Sequence, residues 1–294
     1  MSSGIVHAVL HCALNTSDRA SASSLYEGLE MKVVMRVDGD GLEGGPLGIP
    51  GPTDSQVWFI YDRRGPRVAT AVELQEWTSP ATTGSAYGPF DVGVQALGFH
   101  VPSVADAVDR LVRAGATKAE RAAIGSVDAV VVDGDGVTIE LVADADLKAP
   151  ELRYLRMICD DLDRTVAWYS SIGFSASGDK RSLTWKEADG SVAEAVEQRM
   201  GVAGPPTLDL YLTADPRTTR GQRAHVAANH RGIFRIALAV RDVAVAVDRA
   251  RNELGLDCLD PTLMLLPGSS LGGVTVSTLR DPDGVMLEFV ERDI

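Results

Sequence analysis

Along the chain, hydrophobic positions follow either a strand pattern or a helix pattern, and the change from strand to helix occurs four times. Between Val104 and Ala114 the apolar residues fall at positions 104, 107, 108, 111 and 112, the stripe of a helix that packs on a sheet. Apolar runs such as VQALGFHV and FRIALAVR precede two of the helices and are typical of half-buried strands. Further strand patterns follow, joined by the turn sequences DGDG at Asp133 and DPDG at Asp281. The pattern predicts four βαβββ modules, at residues 5–80, 91–146, 151–215 and 231–292.

Two sequence signatures are each repeated once along the chain. Asp18 and Tyr26, at the first helix, recur as Asp161 and Tyr169 at an offset of 143 residues. The helix VADAVDRL and the hairpin DGDGVTIELVAD recur as VAVAVDRA and DPDGVMLEFVERD. An offset near half of the 294 residues predicts two domains, 1–146 with modules 1 and 2, and 147–294 with modules 3 and 4.

Two irregular segments interrupt the pattern, and one of them, ADPRTTRGQRAHVAANHRG at 214–232, links modules 3 and 4. The other segment, DGDGLEGGPLGIPGPTDS at 38–55, is rich in Gly and Pro. Long irregular segments inside compact domains are either binding loops or disordered. We therefore expect this segment to be a loop over the mouth of a cavity, with disorder as the alternative.

Composition and charge exclude several classes of function. The chain is 45% hydrophobic and 23% charged, which is typical of a globular protein. Its net charge of -13 argues against nucleic acid or an anionic membrane surface as a partner. Three scattered cysteines predict reduced, buried thiols in a cytoplasmic protein. No stretch has the pattern of a signal peptide or a membrane span.

The four modules, with an Asp and a Tyr at the helix of odd modules and a DGDG or DPDG hairpin in even ones, resemble the vicinal oxygen chelate superfamily. This superfamily contains glyoxalases, methylmalonyl-CoA epimerases, extradiol dioxygenases and bleomycin- or fosfomycin-resistance proteins. The resemblance covers nearly the whole chain. It implies an α+β fold in which the four βαβββ modules pair into two half-open, mixed-sheet barrels. It also implies a small-molecule ligand, and either a monomer or a homodimer.

In the superfamily, the first and last strands of each module supply metal ligands to a cup inside each barrel. Counting seven residues back from the Asp at the helix gives His11 and Tyr154, and alignment of the even modules gives Ala96 and Arg235. The last-strand positions fall on Glu73, Glu140, Asp209 and Glu288. The resemblance therefore implies an N-terminal cup with His11, Glu73, Ala96 and Glu140, and a C-terminal cup with Tyr154, Asp209, Arg235 and Glu288.

The resemblance implies a metal site in the N-terminal cup, formed by His11, Glu73 and Glu140. One imidazole and two carboxylates suit a divalent ion such as Mn, Co, Ni, Fe or Zn. Ala96 stands where the superfamily usually has a second histidine. The alternative is that His11 is an isolated cavity histidine and that the two glutamates are hydrogen-bonded structural residues.

The C-terminal cup lacks both histidines of extradiol dioxygenases, so that activity is not expected here. Arg235 should instead face Glu288, and Arg156 lies on the same strand face as Tyr154. One interpretation is a buried structural ion pair. The other is a substrate-binding site in which Arg156, Arg235 and Glu288 orient a carboxylate or enolate and Tyr154 donates a proton.

Three functions remain open from the sequence. The first is a metal-assisted isomerase, epimerase or lyase acting on a small oxygenated molecule, with Glu140 as a catalytic base. The second is a metal-free binding protein similar to the antibiotic-sequestering members of the superfamily. The third is a metal-free cyclase or dehydratase of secondary metabolism, in which Tyr154, Arg235 and Glu288 perform acid–base chemistry.

Overall fold

The four modules predicted from the sequence are present in the structure. The structure is a computed structural model that describes residues 4–86, 88, 90–119, 127–186, 191–218, 227–266 and 272–292. Module 1 contains β1 (Ala8–Asn15), α1 (Arg19–Glu27), β2 (Lys32–Glu43), β3 (Pro52–Tyr61) and β4 (Ala71–Ser79). Module 2 contains β5 (Gly93–Val101), α2 (Val104–Arg113), β6 (Thr117–Lys118), β7 (Ala129–Val132) and β8 (Thr138–Ala143).

The second half of the chain repeats this order with one addition. Module 3 contains β9 (Glu151–Ile158), α3 (Leu162–Ile172), β10 (Ser175–Ala176), β11 (Arg181–Lys186), β12 (Val192–Gly201) and β13 (Asp209–Ala214). Module 4 contains β14 (Gly232–Val240), α4 (Val243–Asn252), β15 (Thr262–Leu265), β16 (Gly273–Arg280) and β17 (Met286–Glu291). The predicted βαβββ order is confirmed, and module 3 has the two-residue strand β10 in addition.

Each helix begins at a side chain that caps it. Asp18, Ser103, Asp161 and Asp242 each accept a hydrogen bond from the backbone N–H three residues later. Such caps satisfy N–H groups that the first helical turn leaves unpaired. The Asp recognised in the sequence as a repeated position is therefore a helix cap.

The strands form two mixed sheets, each built from two modules. Sheet A joins modules 1 and 4 in the order β15-β16-β17-β14-β1-β4-β3-β2. Sheet B joins modules 2 and 3 in the order β10-β12-β13-β9-β5-β8-β7-β6, with β11 paired to β12. The predicted α+β fold of four modules in two half-open barrels is confirmed.

The expected partners within each barrel were wrong. β1 pairs with β14, not with β5, and β5 pairs with β9. The first strands of all four modules are similarly apolar, so their hydrophobic pattern does not specify which strand lies beside which. Each sheet therefore contains one module that precedes the expected domain boundary at 146/147 and one that follows it.

Contacts between helices and hairpins hold each sequence half together. The Tyr26 hydroxyl donates a hydrogen bond to Asp133 (3.3 Å), and the Tyr169 hydroxyl donates to Asp281 (3.0 Å). All four residues are buried, beside a core to which both sheets and all four helices contribute. The repeated Tyr and Asp thus join module 1 to module 2 and module 3 to module 4, although the sheets cross between the halves.

Segment 38–55 lines a cavity but is less irregular than expected. It contains the end of β2, a short 3₁₀ helix at Gly45–Leu47, and the start of β3. Gly39, Leu42 and Thr53 from this segment line the cavity of sheet A. The expected position is confirmed, whereas the expected loop is largely an extended hairpin.

Among the described residues, no helix is long and apolar enough to cross a membrane.

Candidate functional site

Four polar side chains meet on the concave face of sheet A, in a pocket that we call cup A. His11 comes from β1, Glu73 from β4, Arg235 from β14 and Glu288 from β17. β4 runs parallel to β1 with Glu73 opposite Ala13, and β17 runs parallel to β14 with Glu288 opposite Ala237. These are the first-strand and last-strand positions of modules 1 and 4. The positions inferred from the family resemblance for modules 1 and 4 therefore lie close together in one cup.

Arg235 binds both carboxylates of this group. Its Nη1 donates to Glu288 Oε1 at 2.8 Å, and its Nη2 donates to Glu73 Oε2 at 2.8 Å and to Oε1 at 3.0 Å. His11 Nε2 lies 3.1 Å from Glu73 Oε2 and 3.8 Å from Glu288 Oε2. The pairing of Arg235 with Glu288 was expected from the sequence, but the bidentate contact with Glu73 was not.

The surroundings lower the pKa of the Glu73 carboxyl and raise the pKa of the Glu288 carboxyl. Burial favours the neutral form of Glu73, but Arg235 and His11 outweigh it and lower the pKa of Glu73 to about 2. Burial raises the pKa of Glu288 above its usual value, and the charge of Glu73 adds to this rise, while Arg235 opposes it. Glu73 is therefore the more firmly ionised of the two.

A cavity of about 870 Å³ opens above these four residues. Its walls are largely apolar and come from both arms of sheet A, with Met35, Val57, Phe59, Met264 and Val276 among the lining residues. At its polar end, Arg235 Nε and Gln75 Oε1 are buried and form no hydrogen bond with a described residue. A mainly apolar cavity with a few convergent polar groups is the usual form of a small-molecule site.

Glu140 lies in the other sheet, so the predicted metal site of His11, Glu73 and Glu140 is not assembled. Glu140 is fully buried on β8 of sheet B. It accepts hydrogen bonds from the Tyr154 hydroxyl at 2.9 Å and from Arg156 Nε at 2.8 Å. The error follows from the pairing of the modules: Glu140 belongs to module 2, and cup A is formed by modules 1 and 4. Ala96 likewise lies in sheet B, opposite Arg156.

The concave face of sheet B, which we call cup B, is filled by its own side chains. The Tyr154 ring stacks on Tyr211 with 4.0 Å between ring centroids, and it lies against Gly98, where a Cβ atom would have no room. Arg156 Nη1 donates to Glu197 Oε2 at 2.8 Å. Asp209 lies on β13 opposite Tyr154, and burial raises its pKa.

The contacts in cup B occupy the groups that were expected to act on a substrate. Burial, together with the charge of Glu140, raises the pKa of Tyr154 well above its usual value, and its hydroxyl donates to Glu140. Arg156 and Tyr154 do not lie beside Arg235 and Glu288, which belong to sheet A. The expected Tyr154–Arg235–Glu288 cluster is therefore divided between two cups.

The residues of cup A do not fit a divalent metal ion. Such an ion would need His11 with the carboxylates of Glu73 and Glu288, but Arg235 already binds both carboxylates. Its buried positive charge would also repel a metal cation. In the described part of the chain, no group of three or more His, Cys, Asp or Glu side chains is arranged to hold a metal.

Comparison with known proteins agrees with this architecture. Residues 151–289 match the family model described as Glyoxalase/Bleomycin resistance protein/Dioxygenase superfamily. The chain matches no curated protein. Glyoxalase I from Zea mays is similar in structure, with a TM-score of 0.68 at 20% identity over 96% of this chain and 92% of that chain.

A second similar structure is a candidate dioxygenase from Bacillus subtilis, with a TM-score of 0.62 at 14% identity over 98% of this chain and 86% of that chain. At these identities the likeness shows the fold alone. The resemblance inferred from the sequence motifs is confirmed. The protein has the four-module fold of the glyoxalase, bleomycin resistance and dioxygenase superfamily, and residues 151–289 match the sequence model of that superfamily.

Proposed function

We propose that this protein binds a small, largely apolar organic molecule in cup A, without a divalent metal ion. The observation that carries the proposal is the position of Arg235, whose guanidinium binds both Glu73 and Glu288 at the polar end of the 870 Å³ cavity. The apolar walls would supply most of the binding free energy, at about 25 cal/mol per Å² of apolar surface removed from water. Cup B would stabilise the fold and would not bind the ligand.

The polar end of cup A would orient the ligand. Arg235 uses Nη1 and Nη2 on the two glutamates, so its guanidinium is held in place before a ligand arrives. Arg235 and Gln75 both line this end of the cavity, so a polar, oxygen-bearing part of the ligand would lie beside them. These groups favour a ligand with one polar, oxygen-bearing end.

A second candidate function is metal-free proton transfer at the same site, of the kind that an isomerase, epimerase or lyase needs. It is supported by the opposite pKa shifts of the two glutamates, because such a difference separates a proton carrier from a permanently charged partner. Glu288 and His11, 3.8 Å apart, would be the proton carriers. Glu73 would keep Arg235 in place.

Binding can be tested with the neutral fluorophore N-phenyl-1-naphthylamine. We expect the dye to bind the wild-type protein and to bind at least about tenfold more weakly to Val274→Trp, because Val274 lines the cavity and a larger side chain would fill it. Leu263→Trp is the matched control, since Leu263 lies on neighbouring β15 and is 65% exposed. Equal dye affinity of folded Val274→Trp and wild type would refute binding in cup A.

Metal analysis of the purified protein tests the other half of the proposal. We expect less than stoichiometric divalent metal in both the wild type and His11→Ala. One equivalent in the wild type that is lost in His11→Ala would overturn the metal-free proposal. Proton transfer can be tested separately by incubating a panel of small carbonyl compounds in D₂O and following exchange beside the carbonyl by NMR. Exchange that survives in Glu288→Gln would argue against the second candidate function.

A further inference from the structure

A second cavity, of about 330 Å³, adjoins cup A where β1 begins and where β14 and β17 end. Leu10 and Arg292 line both cavities. Pro205 and Ala239 supply apolar parts of its wall. A ligand longer than cup A could therefore reach this second cavity, which we call the basic subsite.

All ionisable side chains that line the basic subsite are basic. They are His7, Arg67 and Arg292, and no described Asp or Glu lines the cavity. This is unusual in a chain whose net charge is -13. Burial lowers the pKa of His7, and the positive charges of nearby Arg241 and Arg292 lower it further. The site thus combines cationic charge with a neutral imidazole.

Several polar groups in the basic subsite lack a protein partner. His7 Nε2 is buried and forms no hydrogen bond with a described residue. Arg292 donates from Nη2 to the Pro66 carbonyl oxygen at 3.0 Å, which fixes the side chain without neutralising its charge. Within the described ranges, neither Arg67 nor Arg292 forms an ion pair with a carboxylate. Guanidinium groups that lack a carboxylate partner are suited to an anion.

We propose that the basic subsite binds an anionic group, such as a carboxylate, sulfonate or phosphate, carried by the same molecule whose apolar part occupies cup A. This inference rests on the proposed function, and it narrows the ligand class to amphipathic organic anions. Arg292 lies at the junction of the two cavities, where it would contact the link between the apolar and anionic parts. Arg67 would bind the anionic group itself.

Two fluorophores of similar size separate this inference from the proposed function. 8-Anilinonaphthalene-1-sulfonate carries a sulfonate, and N-phenyl-1-naphthylamine is its uncharged analogue. We expect the wild type to bind the sulfonate dye about tenfold more tightly, because a charge-assisted contact contributes roughly that much. Arg67→Glu should remove this preference and leave the affinity for the neutral dye unchanged. Arg63→Glu is the control, because it makes the same charge change at an exposed residue outside the subsite.

Each outcome has a distinct meaning. If both dyes bind, Val274→Trp weakens both, and Arg67→Glu affects neither, the anionic subsite is refuted while binding in cup A stands. If Arg67→Glu weakens the sulfonate dye but Val274→Trp does not, the anion binds independently of cup A, and the shared ligand is refuted. Binding of neither dye to the folded wild type would count against both proposals. Circular dichroism of each variant checks that it is folded.

Discussion

Arg235 and Glu73 are 162 residues apart in the sequence, and Arg235 Nη2 lies 2.8 Å from Glu73 Oε2 on the buried concave face of sheet A. This contact joins module 1 to module 4. It exists only because β1 and β14 are neighbours in the sheet. Substitutions at this pair therefore test both the pairing of modules 1 and 4 and the chemistry of cup A.

Removal of Arg235 should strongly destabilise the protein. Arg235→Ala would leave the buried carboxylates of Glu73 and Glu288 without their cation, and breaking a buried ion pair from one side costs about 3–5 kcal/mol. Urea unfolding measures the change in the free energy of unfolding. Lys180→Ala is the control, because Lys180 pairs with Asp163 at the surface and such a pair contributes about 1 kcal/mol or less. Equal losses in the two variants would contradict the structural role of Arg235.

The sequence predicted which positions of each module would face a cup, but it predicted the partner modules wrongly. Counting from the repeated Asp gave His11, alignment of the even-module helices gave Arg235, and the acid after each hairpin gave Glu73 and Glu288, all of which depend on spacing within one module. Which first strands become neighbours depends on long-range pairing among similarly apolar strands. Because β8 and β9 lie in the same sheet, Glu140 contacts Tyr154 and not His11. The basic subsite was missed for the same reason, because its residues come from loops and strand ends of three modules.

Replacement of Arg235 by histidine should create a metal site in cup A. The substitution removes the guanidinium and leaves two imidazoles with the carboxylates of Glu73 and Glu288, a donor set that suits Zn²⁺, Co²⁺ or Ni²⁺. Isothermal titration calorimetry with NiCl₂ should show one equivalent bound by Arg235→His, about tenfold or more tighter than by the wild type.

Arg156→His is the matched control for this metal site. Cup B has two buried glutamates beside Arg156, and no histidine among the described residues pairs with them. It should therefore bind nickel no better than the wild type does. Failure of folded Arg235→His to bind nickel would show that the four positions of cup A do not converge as a ligand set.

Asp281 should make a contribution to stability that is lost as the pH rises toward neutrality. Burial, together with the charge of Asp283, raises the pKa of Asp281 from its ordinary value of 3.8 to about 7. The folded state therefore binds more protons than the unfolded state between these values, so the free energy of unfolding falls as the pH rises through this window. Asp281→Asn cannot ionise, so the difference in melting temperature between the wild type and this variant should change in favour of the variant from about pH 5 to about pH 8.

Asp133→Asn provides a matched comparison. Burial raises the pKa of Asp133, the equivalent residue of module 2, to about 6. Its effect on melting temperature should therefore be complete at a lower pH than that of Asp281. Identical pH profiles of the wild type and both variants would show that neither carboxyl gains a proton on folding.

Loss of the Tyr154 hydroxyl should affect stability but not ligand binding. Tyr154→Phe keeps the stacked ring against Tyr211 and removes the hydrogen bond to Glu140. A hydrogen bond to a buried charged group contributes about 1.5–3 kcal/mol, and urea unfolding should report a loss of this size. The affinity for N-phenyl-1-naphthylamine should stay within about twofold of the wild type, because Tyr154 belongs to sheet B and the cavity to sheet A. A tenfold loss of dye affinity in the folded variant would instead place the ligand in cup B.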